Sequence, residues 1–374
     1  MDIDPPCRYI AAMTKTTNAL ASFFAAATLI TACGTPPSNQ PAVGNDDLPR
    51  GIILIVGDGM GSAHFTLARL LRGDDYHIGR LPHTALIGTA SADSRATDSA
   101  AAATAYATGV KTNNDYVGVD SAGIPQTTVV EIAQQRGLAT GLVTTAPFGD
   151  ATPAAFAAHT RNRRDIATVA EQIVTSGVDV VASTGLEYFG VEGIPTLEQF
   201  ARRGGYQAVS TAAELKAAET GPVLAVLPSG TLDSDSPEMP LAELAAWTMK
   251  RLAEDPDGFF LLIEHEGTDS ASHANDMAAL RTSLRSLDET VGTAMDFAEE
   301  RGDVLLIVLS DHGTGGFQLA GKLGAQEDRF TSRDHTGEDV PLFAAGPGAE
   351  AFNGFMDNTE VGQLLLSLVR RPGG

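Results

Sequence analysis

The chain has 374 residues, with 25 Lys and Arg against 47 Asp and Glu and a net charge of −22. The length suits one large α/β domain or two ordinary ones, and the composition is that of a globular protein able to bury a sizeable core. The acidity weighs against a nucleic-acid backbone as main partner, because phosphate contacts need clustered cations. It reads instead as a solvated, self-repelling surface.

The N-terminal stretch is not part of the fold. From Met13 the chain carries Lys15, then an apolar run from Ala19 to Ile30, then Thr31-Ala32-Cys33. A basic start, a short apolar segment and small residues before a cut make a secretory signal, and the run is short for a membrane span. Small residues directly before Cys33 resemble a bacterial lipoprotein box, which would make Cys33 the lipidated first residue of the mature chain. Met13 is an alternative start, since residues 1–12 make a poor signal-peptide beginning. The expected organisation is a signal peptide over 1–32, a flexible tether over 33–48 rich in Pro, Ser, Asn and Gly, and one catalytic domain over 49–374. Asp2, Asp4, Arg8 and Lys15 cancel, so the mature chain keeps the full negative charge. With Cys7 upstream of the cut and Cys33 at the anchor, no cysteine remains for a disulfide, and stability must come from packing and bound metal.

Beyond the tether, apolar β-rich runs alternate with helical patterns. Strands are expected near 51–56, 85–89, 139–144, 178–182, 223–227, 259–263, 304–309 and 340–344. Helices are expected near 61–71, 100–108, 129–136, 166–176, 241–254, 274–301 and 361–368. The alternation predicts an α/β fold of three layers, a mostly parallel central sheet flanked by helices. Ligands then belong at the carboxyl ends of the strands. Residues 187–236 have weaker patterning and are expected to form a peripheral insertion.

Chemistry-bearing side chains stand where those strands end. Ile55-Val56-Gly57-Asp58-Gly59-Met60-Gly61 places Asp58 on a glycine-rich strand-to-helix turn, where metal or phosphate can come close. Ser99 precedes an Ala-rich helix, where it is either a plain N-cap or a nucleophile facing the free amides of a helix start. The chain lacks a Gly-x-Ser-x-Gly elbow, so such a serine would need a metal to stabilise its alkoxide. Asp150-Ala151-Thr152-Pro153 follows a strand, and Arg163 lies eleven residues after Thr152. The pair is either a capped helix with a surface arginine, or a hydroxyl ligand for a hard cation with a guanidinium fork for phosphate.

The densest cluster is Glu264-His265-Glu266-Gly267-Thr268-Asp269-Ser270-Ala271-Ser272-His273. Asp269 and His273 are four apart and would face one way on a helical turn. Asp311-His312 ends another apolar strand and runs into glycines, and His335 follows in Arg333-Asp334-His335-Thr336-Gly337. Clustered carboxylates and imidazoles of this kind are what a hydrolytic metal centre requires.

In this order the segments resemble the alkaline phosphatase family, from about residue 50 to the C-terminus. The resemblance implies that Ser99 becomes phosphorylated. It implies one Zn2+ on Asp269, His273 and His335, a second on Asp58, Asp311 and His312, and Mg2+ on Thr152, Glu264 and a shared Asp58. Arg163 would grip the non-bridging phosphate oxygens. Three divalent ions against Asp58, Glu264, Asp269, Asp311 and a Ser99 alkoxide leave one positive charge beside Arg163, which lets a strongly acidic chain attract a phosphate dianion.

The resemblance further implies hydrolysis of small phosphate monoesters outside the cytoplasm, in the periplasm or at the cell surface. It also implies membrane attachment through Cys33 and a possible homodimer. Three positions depart from the family pattern or vary within it. Ser270 stands where some members carry a charged or aromatic residue, Asp150 holds a position that varies between Asp and His, and Glu266 has no assigned role. The stretch from His312 to His335 leaves no room for a large crown insertion, so an open site is expected. The readings weighed beside this one are a phosphodiesterase or sulfatase of the same superfamily and a lipoprotein that binds phosphate or metal without turnover.

Overall fold

The structure is a computed structural model that describes residues 48–191, 194–322 and 327–370. The expected signal peptide and nearly all of the tether lie outside the described residues.

The first half of the chain gives β1 (Gly51–Gly57), α1 (Ser62–Arg72), β2 (His83–Gly88), α2 (Ser99–Thr108), α3 (Val129–Gln135) and β3 (Ala139–Pro147). It continues with α4 (Ala151–Ala157), α5 (Ile166–Thr175), β4 (Val180–Thr184), α6 (Leu197–Gly204), β5 (Gln207–Val209), α7 (Ala212–Ala217) and β6 (Val223–Leu227). Then come α8 (Leu241–Leu252), β7 (Phe259–His265), α9 (Gly267–Ala274), α10 (Met277–Arg301) and β8 (Val304–Leu309). The chain closes with β9 (Gly313–Thr314), β10 (His335–Thr336), β11 (Val340–Ala345), β12 (Gly354–Asp357) and α11 (Asn358–Val369).

Ten strands form one sheet in the order β12-β2-β11-β8-β1-β7-β3-β4-β6-β5. Only β11 runs against its neighbours β2 and β8 within this sheet. The apolar runs are continuous rather than alternating because both faces are covered. Ile52, Leu54 and Val56 point into a core with α2, α3, α4, α5, α6 and α11, whereas Ile53 and Ile55 point into one with α1, α7, α8 and α10. Each such buried side chain contributes about 1.5–3 kcal/mol, so the central strands give the loops above them a rigid floor.

Register then sets the site. Val56 on β1 pairs with Glu264 on β7 and with Leu309 on β8, while Thr144 on β3 also pairs with Glu264. Asp58, Glu264 and Asp311 therefore leave the sheet at one level on its carboxyl edge.

Two expectations are corrected. Residues 187–236 are not an appendage outside the sheet: they carry β6, fully buried beside β4, and β5 at the edge. The helix expected from Ala274 to Arg301 begins three residues later, at Met277, as α10. Asn275 adopts a left-handed conformation (φ 58°) that ends α9, and Asp276 accepts the amides of Ala278 and Ala279 to start α10. Side-chain capping by Asp outweighs the continuous helical pattern here.

Candidate metal centre and nucleophile

The eight expected metal ligands, the serine and the arginine come together above the carboxyl edge. Asp58, Ser99, Thr152, Glu264, Asp311 and His312 are buried, while Asp269, His273 and His335 line the more open side. Two sets of ligand atoms lie within 4.8 Å of one another: Asp58, Asp311 and His312, and Asp269, His312 and His335. His273 completes the second region. Its Nε2 is 3.2 Å from Asp269 Oδ2 and 3.1 Å from His335 Nε2.

The histidines are oriented from behind. His335 Nδ1 meets the Thr97 carbonyl at 2.8 Å, His273 Nδ1 meets the Arg333 carbonyl, and His312 Nδ1 meets Thr314 Oγ1 at 3.2 Å. A backbone carbonyl can only accept, so Nδ1 carries the proton in His273 and His335, and their Nε2 lone pairs face the site. The His312 and His335 rings stack with centroids 3.7 Å apart.

Ser99 is the first residue of α2, and the N-cap is Asp98, whose side chain accepts the Ala101 amide at 2.9 Å. That division of labour leaves the serine hydroxyl free. Its Oγ lies 3.2 Å from His312 Nε2, and the helix start behind it favours an anion. Asp98 also holds Arg163, with Oδ2 3.3 Å from Nη1, and Asp150 Oδ1 lies 3.3 Å from Nη2. Burial opposes the Arg163 charge, but Asp150, Asp98 and Asp58 outweigh it and raise its pKa. The guanidinium is held in place and permanently cationic.

The carboxyl groups bear the mark of missing positive charge. Burial, then Asp311, Asp269, Glu264 and Glu266, holds Asp58 well above the usual carboxylate range. Burial and Asp150 push Glu264 up to about 8, with the Thr144 hydroxyl pulling the other way. Burial also raises Asp269, but His273, His312 and Thr314 outweigh it and its pKa falls. His273 is pushed up to about 9, chiefly by its bond to Asp269.

Among the expected metal ligands, four buried oxygens have no hydrogen-bond partner: Asp58 Oδ1, Asp311 Oδ2, Glu264 Oε1 and Thr152 Oγ1. Orphaned buried polar atoms are costly, and divalent cations would satisfy all four. Imidazole with carboxylate suits zinc, whereas the all-oxygen set of Asp58, Thr152 and Glu264 suits magnesium.

Gly59 makes the close packing possible. It has φ +68°, and a Cβ there would stand 2.8 Å from Asp269 Cα. Its amide donates to Asp311 Oδ1 at 3.0 Å, and the Met60 amide donates to Ser310 Oγ at 2.9 Å.

Several contributors escaped sequence reasoning: Asp98 as cap and arginine anchor, Thr144 donating to Glu264, and Thr314 between Asp269 and His312. Their strand-end positions were the available signal, but threonine is common there for other reasons. Glu266 now has surroundings: the Ser270 hydroxyl donates to it, its amide donates to Thr145 Oγ1 at 2.9 Å, and burial raises its pKa to about 7.

A serine at a helix start beside clustered carboxylates and imidazoles, on a doubly covered parallel sheet, is the arrangement of a metal-assisted hydrolase of the α/β class. The family model described as "Alkaline phosphatase" matches residues 49–330 and 325–370. Alkaline phosphatase 4 of Bacillus subtilis is 28% identical, over 86% of this chain and 89% of its own. Alkaline phosphatase from the Antarctic bacterium TAB5 superposes with a TM-score of 0.80 at 27% identity, covering 86% of this chain and 98% of its own. A histidine-to-glutamate variant of that enzyme, with Mg bound in the site called M3, gives a TM-score of 0.81 at 28% identity and the same two coverages. The chain belongs to the alkaline phosphatase family and is a phosphoric monoester hydrolase.

Proposed function

We propose that Ser99 is the nucleophile of a two-step hydrolysis served by two zinc ions and one magnesium ion. Asp269, His273 and His335 would hold the first zinc, Asp58, Asp311 and His312 the second, and Asp58, Thr152 and Glu264 the magnesium. The observation that carries this reading is the convergence of four partnerless buried oxygens beside the Ser99 hydroxyl.

When bound, the metals would lower the pKa of a hydroxyl and neutralise the charge of attacking and leaving oxygens. The chain's own groups do the rest. Ser99 Oγ attacks phosphorus, the bond to the ester oxygen breaks, and the alcohol leaves with a proton. Water then attacks the phosphoserine, its oxygen ends on phosphate, and a proton returns to Ser99. Arg163, braced by Asp98 and Asp150, binds two phosphate oxygens through both steps. The glycines around Asp58 and Asp311 let backbone close in and keep bulk water to one side.

Rapid acid quench of the enzyme with labelled phosphate ester tests the assignment. One labelled phosphate per chain should appear on Ser99, and Ser99→Ala should lose label and turnover while keeping its metals. A Ser99→Ala enzyme with near-normal turnover would overturn it.

We further propose export and attachment through a lipidated Cys33, supported by the basic, apolar and small-residue pattern before it. Among the described residues no helix is long and apolar enough to cross a membrane. Cys33→Ser should move the enzyme from the membrane fraction to the soluble one.

A further inference from the structure

The carboxyl edge of the sheet holds a second concavity beside the metal centre. It has a volume of about 670 Å³ and begins where β3 and β4 end, at Pro147, Phe148 and Gly185. Phe148, Phe189 and Phe200 form one wall, with ring centroids 5.8–5.9 Å apart in tilted and edge-on contacts. Ile166, Tyr188 and Ile194 form the mouth and remain 48%, 57% and 47% exposed. Glu171 and Arg203, paired with each other, mark the polar rim.

Asp150 connects the two places. Its side chain lines this cavity and at the same time meets Arg163 Nη2 at 3.3 Å. The residue that braces the phosphate-binding arginine is therefore part of the apolar cavity's wall. A volume of this size accepts a drug-sized organic group, and apolar lining with a few polar residues is the usual character of such sites. Exposed apolar side chains gathered at one mouth, here Ile166, Tyr188 and Ile194, mark surfaces that bind.

We propose that this cavity receives an apolar arm, aromatic or alkyl, on the alcohol half of the phosphate monoester. The inference rests on the hydrolase reading of the adjoining centre and refines its substrate class. The phosphate lies against Ser99 and Arg163, and the arm passes Asp150 to lie among Phe148, Phe189 and Phe200. The rim pair Glu171–Arg203 and the Asp150 carboxylate disfavour a second anionic group on that arm. Esters of polar alcohols such as glycerol phosphate gain nothing from the cavity and report on the metal centre alone.

The test compares glycerol phosphate with a series of ω-phenylalkyl phosphates of increasing chain length on the metal-loaded enzyme. KM should fall about three-fold for each methylene that enters the cavity, with kcat little changed, until the arm fills it. Ile166→Ser and Tyr188→Ser, both at exposed positions, should flatten the series and leave glycerol phosphate kinetics and inhibition by inorganic phosphate as in the parent. A KM independent of chain length in the parent, with glycerol phosphate still turned over, would overturn the proposal. So would a slope that both substitutions leave intact. Loss of turnover for every ester, glycerol phosphate included, would instead strike the reading of the metal centre.

Discussion

Thr314 and Asp269 are joined by a hydrogen bond of 2.6 Å, and the same hydroxyl meets His312 Nδ1 at 3.2 Å. In the proposed assignment Asp269 and His312 hold different zinc ions, so one threonine hydroxyl links both, donating to one and accepting from the other. With Thr314 donating to the carboxylate, its oxygen accepts from His312 Nδ1–H, which leaves His312 Nε2 free to coordinate. Thr314→Val keeps the shape and removes the link. Outer partners of this kind contribute about 10- to 100-fold in metal affinity or activity. Competition against a chelator should therefore show both zinc affinities reduced in Thr314→Val and largely restored in Thr314→Ser. Weakening confined to one of the two ions would contradict the bridge.

Arg163 is fixed by Asp98 and Asp150 at 3.3 Å each, so in the proposed role its fork would meet phosphate in a set orientation. Arg163→Lys keeps the charge and loses the two-point grip. Inorganic phosphate should bind about ten-fold more weakly, read as a higher inhibition constant, with the metal content unchanged.

Gly59 has φ +68° and lies against Asp269. In Gly59→Ala a left-handed conformation, costing about 1–3 kcal/mol, adds to a collision with the Asp269 backbone. The substituted enzyme should melt several degrees lower and bind zinc weakly at both sites. A variant with parental melting temperature and metal content would show that α9 and the β1 turn can separate freely.

The carboxyl cluster predicts how the apoenzyme answers its metals. Burial and neighbouring carboxylates raise both Asp58 and Glu264, the latter to about 8, so Glu264 holds its proton at neutral pH. Metal binding must release that proton. Calorimetry in buffers of different ionisation enthalpy should show net proton release on loading at pH 7, and chelation should lower the melting temperature markedly. Loading without proton release would contradict a carboxyl cluster raised in this way.

His159 and Glu131 form a pair away from the metals, with Nε2 3.1 Å from Oε1. Its bond to Glu131 raises His159 above its usual 6.5, and the same bond lowers Glu131 below its usual 4.5. The histidine contribution is full below pH 6.5 and is lost as pH rises through the raised value. The glutamate contribution is full above pH 4.5 and is lost as pH falls through the lowered one. The pair thus stabilises most between those limits, by no more than about 1 kcal/mol since both side chains are partly exposed. Denaturant titrations should show the parent losing that increment as pH climbs above the histidine value, while His159→Gln loses none.

Much of this arrangement was legible in the sequence because buried parallel strands leave an unmistakable apolar run, and their ends say where the ligands must stand. Asp58, Glu264, Asp311 and His312 were readable for that reason. The supporting hydroxyls of Thr144 and Thr314 were not, since threonine at a strand end serves packing as often as a site. Three-residue β5 and four-residue β12 were missed because so short a run carries no period. The start of α10 was read three residues early because the left-handed turn at Asn275 leaves the surrounding apolar spacing almost intact.

The hairpin of β9 and β10 pairs His335 with Thr314 and Thr336 with Gly313. It clasps the base of the excursion between them, so His312 and His335 are anchored at the hairpin and not by the loop above it. Apart from Arg333, whose carbonyl orients His273, the excursion is thereby released from holding those imidazoles. Natural variation, or an engineer's graft, can remodel the rim above the centre while the ligands beneath keep their places.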